Sequence, residues 1–368
     1  MELHFDIGGA ATVGVSGLPG PWVERLRAVM RPWLPSDGTG PDIRIALVEG
    51  DPAAPDELVG DTGDGLRLGA RPGRAQILVD DAWWSIPDGG DLHDLEASTR
   101  LRPSRLSAEV IRPAVMTHVG LTGGATLHAS TVVDSDGPLI LAGWSESGKT
   151  EAALAFVEGG ATLLSDKWTV VRPDGGLVRL PGAVYVRSWV LEYLGSLRAG
   201  LTVRMRAQRV AARAAKLAPW VARRLPGEAT RDLADRLEVI ADLGDRLRLD
   251  PETIAAITGR RAIGTAGPAT RLVLLRSRPG TSISVTDRRL DDVIDALIAS
   301  SGFERRATTA LAVRGGYASP PLDLRALDVR SEERAALATL LASVHVMEVR
   351  APFPTDPRRV RDAILAHS

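Results

Sequence analysis

The stretch Gly143-Trp144-Ser145-Glu146-Ser147-Gly148-Lys149-Thr150 spaces two glycines, a lysine and a hydroxyl as a phosphate-binding loop does. Gly143 and Gly148 permit backbone dihedrals that a Cβ would penalise, so that amide N–H groups turn inward toward phosphate oxygens. Lys149 is placed to put an ammonium on the β- and γ-phosphates, and Thr150 offers a hydroxyl to a magnesium ion. A helix beginning at the end of the loop, with Glu151 in its first turn, would point its positive end at the anion. The ligand these residues suit is a nucleoside triphosphate, ATP with Mg2+. The chemistry they suit is phosphoryl transfer, which needs the polyphosphate held still, its charge neutralised and an acceptor hydroxyl aligned.

A second group of residues lies close by in the sequence. Of the 45 basic residues only Lys149, Lys167 and Lys216 are lysines, and two of the three fall beside the glycine loop. In a chain that writes its surface charge as arginine, Lys167 and its neighbour Asp166 are candidates for chemistry. Trp144 and Trp168 are placed to stack on a base or wall a pocket, but packing is the reading they favour, as it is for the pair Trp83-Trp84. Arg179 and Arg187 are candidate phosphate clamps in an arginine-rich chain.

The elements that must position these residues follow from periodicity. Apolar residues from Ala125 to Val133 and from Leu139 to Ala142 flank the turn signal Asp134-Ser135-Asp136-Gly137, so two strands lead the chain into the loop. Thr150 to Glu158 has helical spacing, Gly159-Gly160 ends it, and Ala161 to Ser165 reads as the next strand. A helix is expected from Leu106 to about Val119. Further core strands are expected at Thr270 to Ser277 and Val344 to Val349, with helices at Leu290 to Ala299, Glu332 to Ala342 and Asp356 to His367. Residues 1 to about 100 show short alternating stretches (Leu3 to Ile7, Ile43 to Val48, Gln76 to Val79) and a helical segment at Trp22 to Leu34, and read as a small α+β domain without a catalytic motif.

Residues 193 to 227 carry eight basic side chains and no acidic one, and residues 228 to 252 carry eight carboxylates. Together they read as a helical insertion spanning about 193–262, its helices paired through opposite charge or open as a groove for an acidic peptide. The whole chain of 368 residues is nearly neutral, with 45 basic against 46 acidic residues, so no overall field favours nucleic acid or an acidic membrane. With no cysteine, disulfides, thiolate metal sites and cysteine nucleophiles are excluded, and a cytoplasmic location is expected. No signal peptide is evident at Met1-Glu2-Leu3-His4, and no apolar run reaches the roughly 18 residues of a membrane span.

Three segments occur in one order within a short span: Thr126-Leu127-His128-Ala129-Ser130, the loop ending Gly148-Lys149-Thr150-Glu151, and Leu163-Leu164-Ser165-Asp166. From about Leu106 to Val171 this resembles the HPr kinase/phosphorylase family and its HPr-kinase-like relatives. The resemblance is weak beyond that span and absent from the first 100 residues. It implies an α/β fold, a P-loop kinase core of the HPr kinase/phosphoenolpyruvate carboxykinase type over 101–368, with the α+β domain ahead of it. It also implies that His128 sits near the phosphates and that Asp166 is either the base that deprotonates the acceptor hydroxyl or a magnesium ligand beside Thr150. Lys167 stands where the family has a second aspartate. That departure removes a carboxylate and offers a point charge to the transferring phosphoryl group or to an acidic substrate.

The expected activity is therefore an ATP- and magnesium-dependent kinase acting on a hydroxyl, the serine or threonine of a peptide or protein acceptor. Such an acceptor includes the precursor peptide of a ribosomal natural product. A non-catalytic nucleotide-binding module and a kinase for a small molecule such as free serine are the alternatives. Self-association into a homo-oligomer is left open.

Overall fold

The computed structural model describes residues 1–36, 40–49, 55–61, 67–79, 82–215 and 245–367. Alternating apolar residues at the start of the chain fold into nine strands: β1 Leu3–Asp6, β2 Thr12–Ser16, β3 Pro35–Ser36, β4 Ile43–Val48, β5 Glu57–Asp61, β6 Arg67–Arg71, β7 Arg74–Val79, β8 Ala82–Pro87 and β9 Leu95–Ser98. They form one sheet in the order β3-β1-β2-β4-β9-β8-β7-β6-β5, parallel at β2/β4 and β4/β9 and antiparallel elsewhere. The helix expected from Trp22 to Leu34 is shorter, Gly20–Val29, because Pro32 has no N–H and disfavours helical dihedrals at the residue before it. Pro35–Ser36 instead pairs with β1. The inner face of this sheet shares one apolar core with parts of the chain far away in sequence: Phe5, Val13 and Trp84 pack in the same cluster as Trp168, Val170, Val178, Leu311 and Leu324.

The connection to the rest of the molecule is helical from Pro103 to Leu121, with a π-type turn over Leu106–Ile111 ahead of the α-helix Arg112–Leu121. Pro113 has no N–H to give, and just before it the ladder widens, the Arg112 N–H reaching back to the Ser107 carbonyl. Gly123, with φ of 86°, then turns the chain into strand.

Twelve further strands follow: β10 Ala125–Leu127, β11 Ala129–Asp134, β12 Gly137–Gly143, β13 Thr162–Ser165, β14 Thr169–Val171, β15 Gly176–Arg179, β16 Val184–Arg187, β17 Arg246–Leu249, β18 Thr265–Pro268, β19 Arg271–Ser277, β20 Ser284–Arg288 and β21 His345–Ala351. β11 and β12 are the hairpin anticipated from Asp134-Ser135-Asp136-Gly137, with Asp134 opposite Gly137. The central sheet has the order β13-β11-β12-β19-β21-β20, parallel at β12/β19 and β19/β21. It is covered on both faces, as a sheet with parallel strands at its centre must be. Leu139 and Leu141 of β12 join Ala152, Phe156, Val360 and Ile364 in one core, from helices Lys149–Glu158 and Pro357–Leu365. Ile140 and Ala142, pointing the other way, join Ile294, Leu297 and Leu337 from helices Ile294–Glu304 and Arg330–Leu340, with Leu341 just beyond the second. The protein is thus a mixed α/β fold.

A smaller sheet, β10-β14-β15-β18, lies beside the central one, and the chain passes directly between the two sheets three times, the last from β18 to β19. It leaves β10 and enters β11 at His128, and it leaves β13 and enters β14 through Asp166 and Lys167. The first two crossings are tied together by the Ala129 N–H, which donates to the Lys167 carbonyl at 3.1 Å.

The segment expected as a helical insertion is helical at Gly195–Ala199, Val203–Ala215 and Pro251–Thr258, but it also contains β17, paired antiparallel with β16. The opposite-charge pairing of its helices falls largely on residues 216–244, outside the described residues. Among the described residues no helix is long and apolar enough to cross a membrane.

Candidate functional site

β12 ends in Gly143, whose φ of 151° and tight surroundings fix its identity: a Cβ there would lie 2.5 Å from the Leu275 carbonyl oxygen and 2.6 Å from Ser147 Oγ. Gly148, with φ of 90°, caps helix Lys149–Glu158, so the first-turn amides of that helix face the loop. Lys149 folds back over the loop and its ammonium donates to the carbonyls of Gly143 at 2.8 Å and Trp144 at 2.7 Å. Burial pushes Lys149 down to about 8, against the upward pull of Asp166, Glu304 and Glu151. Glu146 adopts a left-handed φ of 62° at the tip of the loop and is gripped by Arg187 from the end of β16.

The two sheet crossings bring the remaining groups to this loop. Thr150 Oγ1 donates to Asp166 Oδ1 at 2.8 Å, and Ser130 Oγ donates to the same oxygen at 2.5 Å. Burial raises the Asp166 carboxyl; the hydrogen bonds from Ser130 and Thr150 and the charge of Lys149 only partly offset it. Glu151, the next residue of the same helix, is also raised by burial, with Asp166 adding to the effect. The site therefore holds two carboxyls more readily protonated than free ones, beside an ammonium less readily protonated than a free lysine.

His128 is 7% exposed, with its ring 5.5 Å from that of Trp168. Ser300 Oγ donates to the Gly143 carbonyl at 3.0 Å, which consumes its one proton, so the 2.9 Å contact between His128 Nδ1 and Ser300 Oγ has the imidazole as donor. His128 is then the Nδ1–H tautomer, with its lone pair on Nε2. Burial, with Lys149 and Lys167 adding to it, pushes the imidazole down to about 3, so the ring is neutral at neutral pH.

Lys167 holds a left-handed φ of 69° at the second crossing, and its ammonium is 3.2 Å from Glu304 Oε2. Ser145 Oγ donates to the other Glu304 oxygen at 3.2 Å. Burial pushes the Glu304 carboxyl up, but the charge of Lys167 and the hydrogen bonds from Lys167 and Ser145 hold the group below its ordinary range.

These groups line one open cleft of about 210 Å³. Of the residues singled out from the sequence, His128, Ser145, Glu146, Gly148, Lys149, Thr150, Glu151, Asp166 and Lys167 all border it, while Gly143 and Ser147 form the underside of the loop. Trp144 turns out to solvent, 51% exposed, and packs on Phe303 at 4.9 Å. Arg187 borders the cleft, whereas Arg179 does not belong to it: it is 2% exposed and paired with Glu252 at 2.6 Å. Glu304, Ser300, Tyr185 and Arg246 were not anticipated. Ser300 and Glu304 are one helical turn apart on helix Ile294–Glu304, a spacing that marks a shared face but carries no chemical signature.

Among the described residues no three acidic or histidine side chains cluster closely enough to hold a metal ion unaided. Thr150 and Asp166 alone would be an incomplete set of ligands for magnesium, which takes its remaining oxygens from phosphates and water in sites of this kind. No protein-family model matches the chain, and no curated protein is significantly similar to it.

Proposed function

We propose that the protein is an ATP- and magnesium-dependent phosphotransferase with a P-loop kinase core of the HPr kinase/phosphoenolpyruvate carboxykinase type, acting on the hydroxyl of a serine or threonine in a peptide or protein. The observation that carries this reading is the 2.8 Å contact between Thr150, at the end of the phosphate loop, and Asp166, at the sheet crossing. It puts a buried carboxylate of raised proton affinity beside the place where a γ-phosphate would lie.

The roles follow from the chemistry of each group. Lys149 would exchange its bonds to the Gly143 and Trp144 carbonyls for phosphate oxygens, while the first-turn amides of helix Lys149–Glu158 add partial positive charge. Thr150 would hold magnesium together with phosphate oxygens and water, and the ion would neutralise phosphate charge when bound. Asp166 orients the acceptor hydroxyl and takes its proton as the new oxygen–phosphorus bond forms and the bond to the leaving diphosphate breaks. His128, pushed down to about 3, is too weak a base for that step, and it serves through Nε2 as a neutral hydrogen-bond acceptor. Lys167, held by Glu304, supplies a positive charge at the rim of the cleft.

The test is Asp166→Asn, which keeps the shape and the hydrogen-bonding oxygen but removes the base. Turnover measured as ADP release with a serine-containing peptide library should fall by about 10²–10⁴-fold, the usual range for loss of a general base, with nucleotide affinity nearly unchanged. Undiminished ADP release from the variant would overturn the assignment, and no release above background from the unsubstituted protein with any acceptor would point to a non-catalytic nucleotide-binding module.

A further inference from the structure

The phosphate cleft has two ends that differ in chemistry. Asp166, Lys167, His128 and Glu304 gather at one of them, where phosphoryl transfer would take place. The other is marked by Gly148, Glu151 and Phe353, which the cleft shares with a narrow crevice lined further by Trp189, Pro352, Thr355 and Val360. None of the four groups at the reacting end borders that crevice. A polyphosphate whose last phosphate lies at Asp166 would run back along the loop toward Gly148 and the first turn of the helix, and so carry its nucleoside toward Phe353.

The sheet places Phe353 there. β12, β19 and β21 are parallel neighbours, and their carboxyl ends deliver Gly143 at the start of the loop, Ser277, and Phe353 just past Ala351. Ser277 Oγ in turn donates to the Glu146 carbonyl of the loop at 3.3 Å. Ligands of open α/β sheets sit outside the carboxyl ends of the strands, and these three ends meet at one cleft. The ring itself is half-buried. Trp189 packs against the apolar core of Ala152, Phe156 and Val360, and the Phe353 ring stands against Trp189, 6.0 Å between centroids and close to perpendicular at 73°. An edge of the same ring meets the loop: a Cβ on Gly148 would lie 3.5 Å from Phe353 Cδ2. An aromatic side chain is thus fixed from behind, held against the phosphate loop and left bordering the cleft. Trp144, the exposed aromatic of the loop itself, packs on Phe303 beside the Ser145–Glu304 contact, at the reacting end.

We infer that Phe353 is the nucleobase platform of this site: the base of the bound triphosphate stacks on its ring, which Trp189 holds in place. The inference rests on the nucleotide reading and names the residue that recognises the part of the ligand the phosphate loop does not touch. Every base offers a π-face, and stacking strength, not hydrogen-bonding pattern, sets the preference of such a platform. The larger ring system of a purine is therefore favoured over a pyrimidine.

Calorimetric titration of the full chain with magnesium-ATP and with magnesium-tripolyphosphate separates the base from the phosphates without any acceptor being known. Phe353→Leu should weaken ATP by roughly five- to a hundredfold, the range that loss of a base-stacking aromatic gives, while tripolyphosphate changes less than twofold. Phe353→Tyr, which keeps the ring, should bind ATP within about threefold of the unsubstituted protein, so that the loss in Phe353→Leu is of the stack and not of the fold. Tyr185→Leu and Trp144→Leu, which remove the two other aromatics near the cleft, should leave the ratio of the two affinities unchanged. A ratio that stays within twofold in Phe353→Leu, or that falls instead in Tyr185→Leu or Trp144→Leu, overturns the inference, and continued binding of tripolyphosphate then leaves the phosphate-loop reading in place. If neither ligand binds the unsubstituted protein, it is the nucleotide reading that fails, and the platform fails with it.

Discussion

Raising the pH from 7 to 9 should weaken nucleotide binding about tenfold, and the reason is Lys149. Lys149 is 7% exposed and pushed down by burial to about 8, and its ammonium is hydrogen-bonded in the free protein to two neutral carbonyls, those of Gly143 and Trp144. Phosphate oxygens would bring several negative charges to it and so restore its proton affinity in the complex. The free protein therefore loses a proton as pH rises through about 8 while the complex keeps it, binding must take one up, and affinity falls with rising pH. With a free-state value of about 8, roughly one lysine in ten carries its proton at pH 9, which makes the loss close to a factor of ten, or about 1.4 kcal/mol. Below pH 7 the slope should vanish. Calorimetric titration of magnesium-ADP in buffers of different ionisation enthalpy measures both consequences, the affinity and an uptake of close to one proton per nucleotide at pH 9. Lys149→Arg, always charged, should bind with no such slope. An unchanged affinity between pH 7 and pH 9 in the native protein, with no proton uptake, would refute the argument, because it would mean that the buried ammonium does not face the phosphates.

Two other expectations concern neighbours of the loop. With Ser300 committed to the Gly143 carbonyl, the His128 ring should stay neutral, in the Nδ1–H tautomer, from pH 8 down to about pH 4.5; long-range 15N correlation spectra should show this, and in Ser300→Ala a mixture of tautomers should replace it. Glu333 is fully buried, grips Arg305 through both oxygens and accepts the Thr126 N–H at 2.9 Å just ahead of the first crossing. Glu333→Ala strands a buried guanidinium and should cost about 3–5 kcal/mol in urea unfolding, and a loss under 1 kcal/mol would show that the pair is not holding β10 in place.

What was legible in the sequence is what local periodicity and glycine can carry. The hairpin β11–β12, the loop, helix Lys149–Glu158 and strand β13 lie within 37 consecutive residues from Ala129 to Ser165, and each boundary is marked by Gly or by a change of period. The parts that escaped reading arrive from a distance or depend on partners. Glu304 comes to the cleft, and Ser300 to His128 and the Gly143 carbonyl, from helix Ile294–Glu304, more than a hundred residues beyond Lys167, and a serine and a glutamate on a helix look like solvent-facing polar residues until the fold turns that face inward. Arg179 and Arg187 had equal standing in the sequence. One is buried against Glu252 and the other grips Glu146 at the cleft, and only the pairing of β16 with β17 and the placing of Pro251–Thr258 separate them. The sharing of one apolar core between the nine-stranded sheet and Trp168 was equally hidden, since no period links residues so far apart.

Lys167 joins these threads. A lysine at φ of 69° carries a backbone cost of roughly 1 kcal/mol that glycine would not, and the position sits where the chain must turn from β13 into β14. The strain is held on both sides: the Lys167 carbonyl accepts from Ala129 across the two crossings, and its ammonium is fastened by Glu304. A lysine alone at such a turn would make the rim positive. Here Glu304 brings a carboxylate from another helix, so the rim carries an ion pair instead of a single charge, and that pair borders both the cleft and a smaller cavity lined in part by Trp84 and Trp168. A charge that faces two pockets responds to the occupant of either.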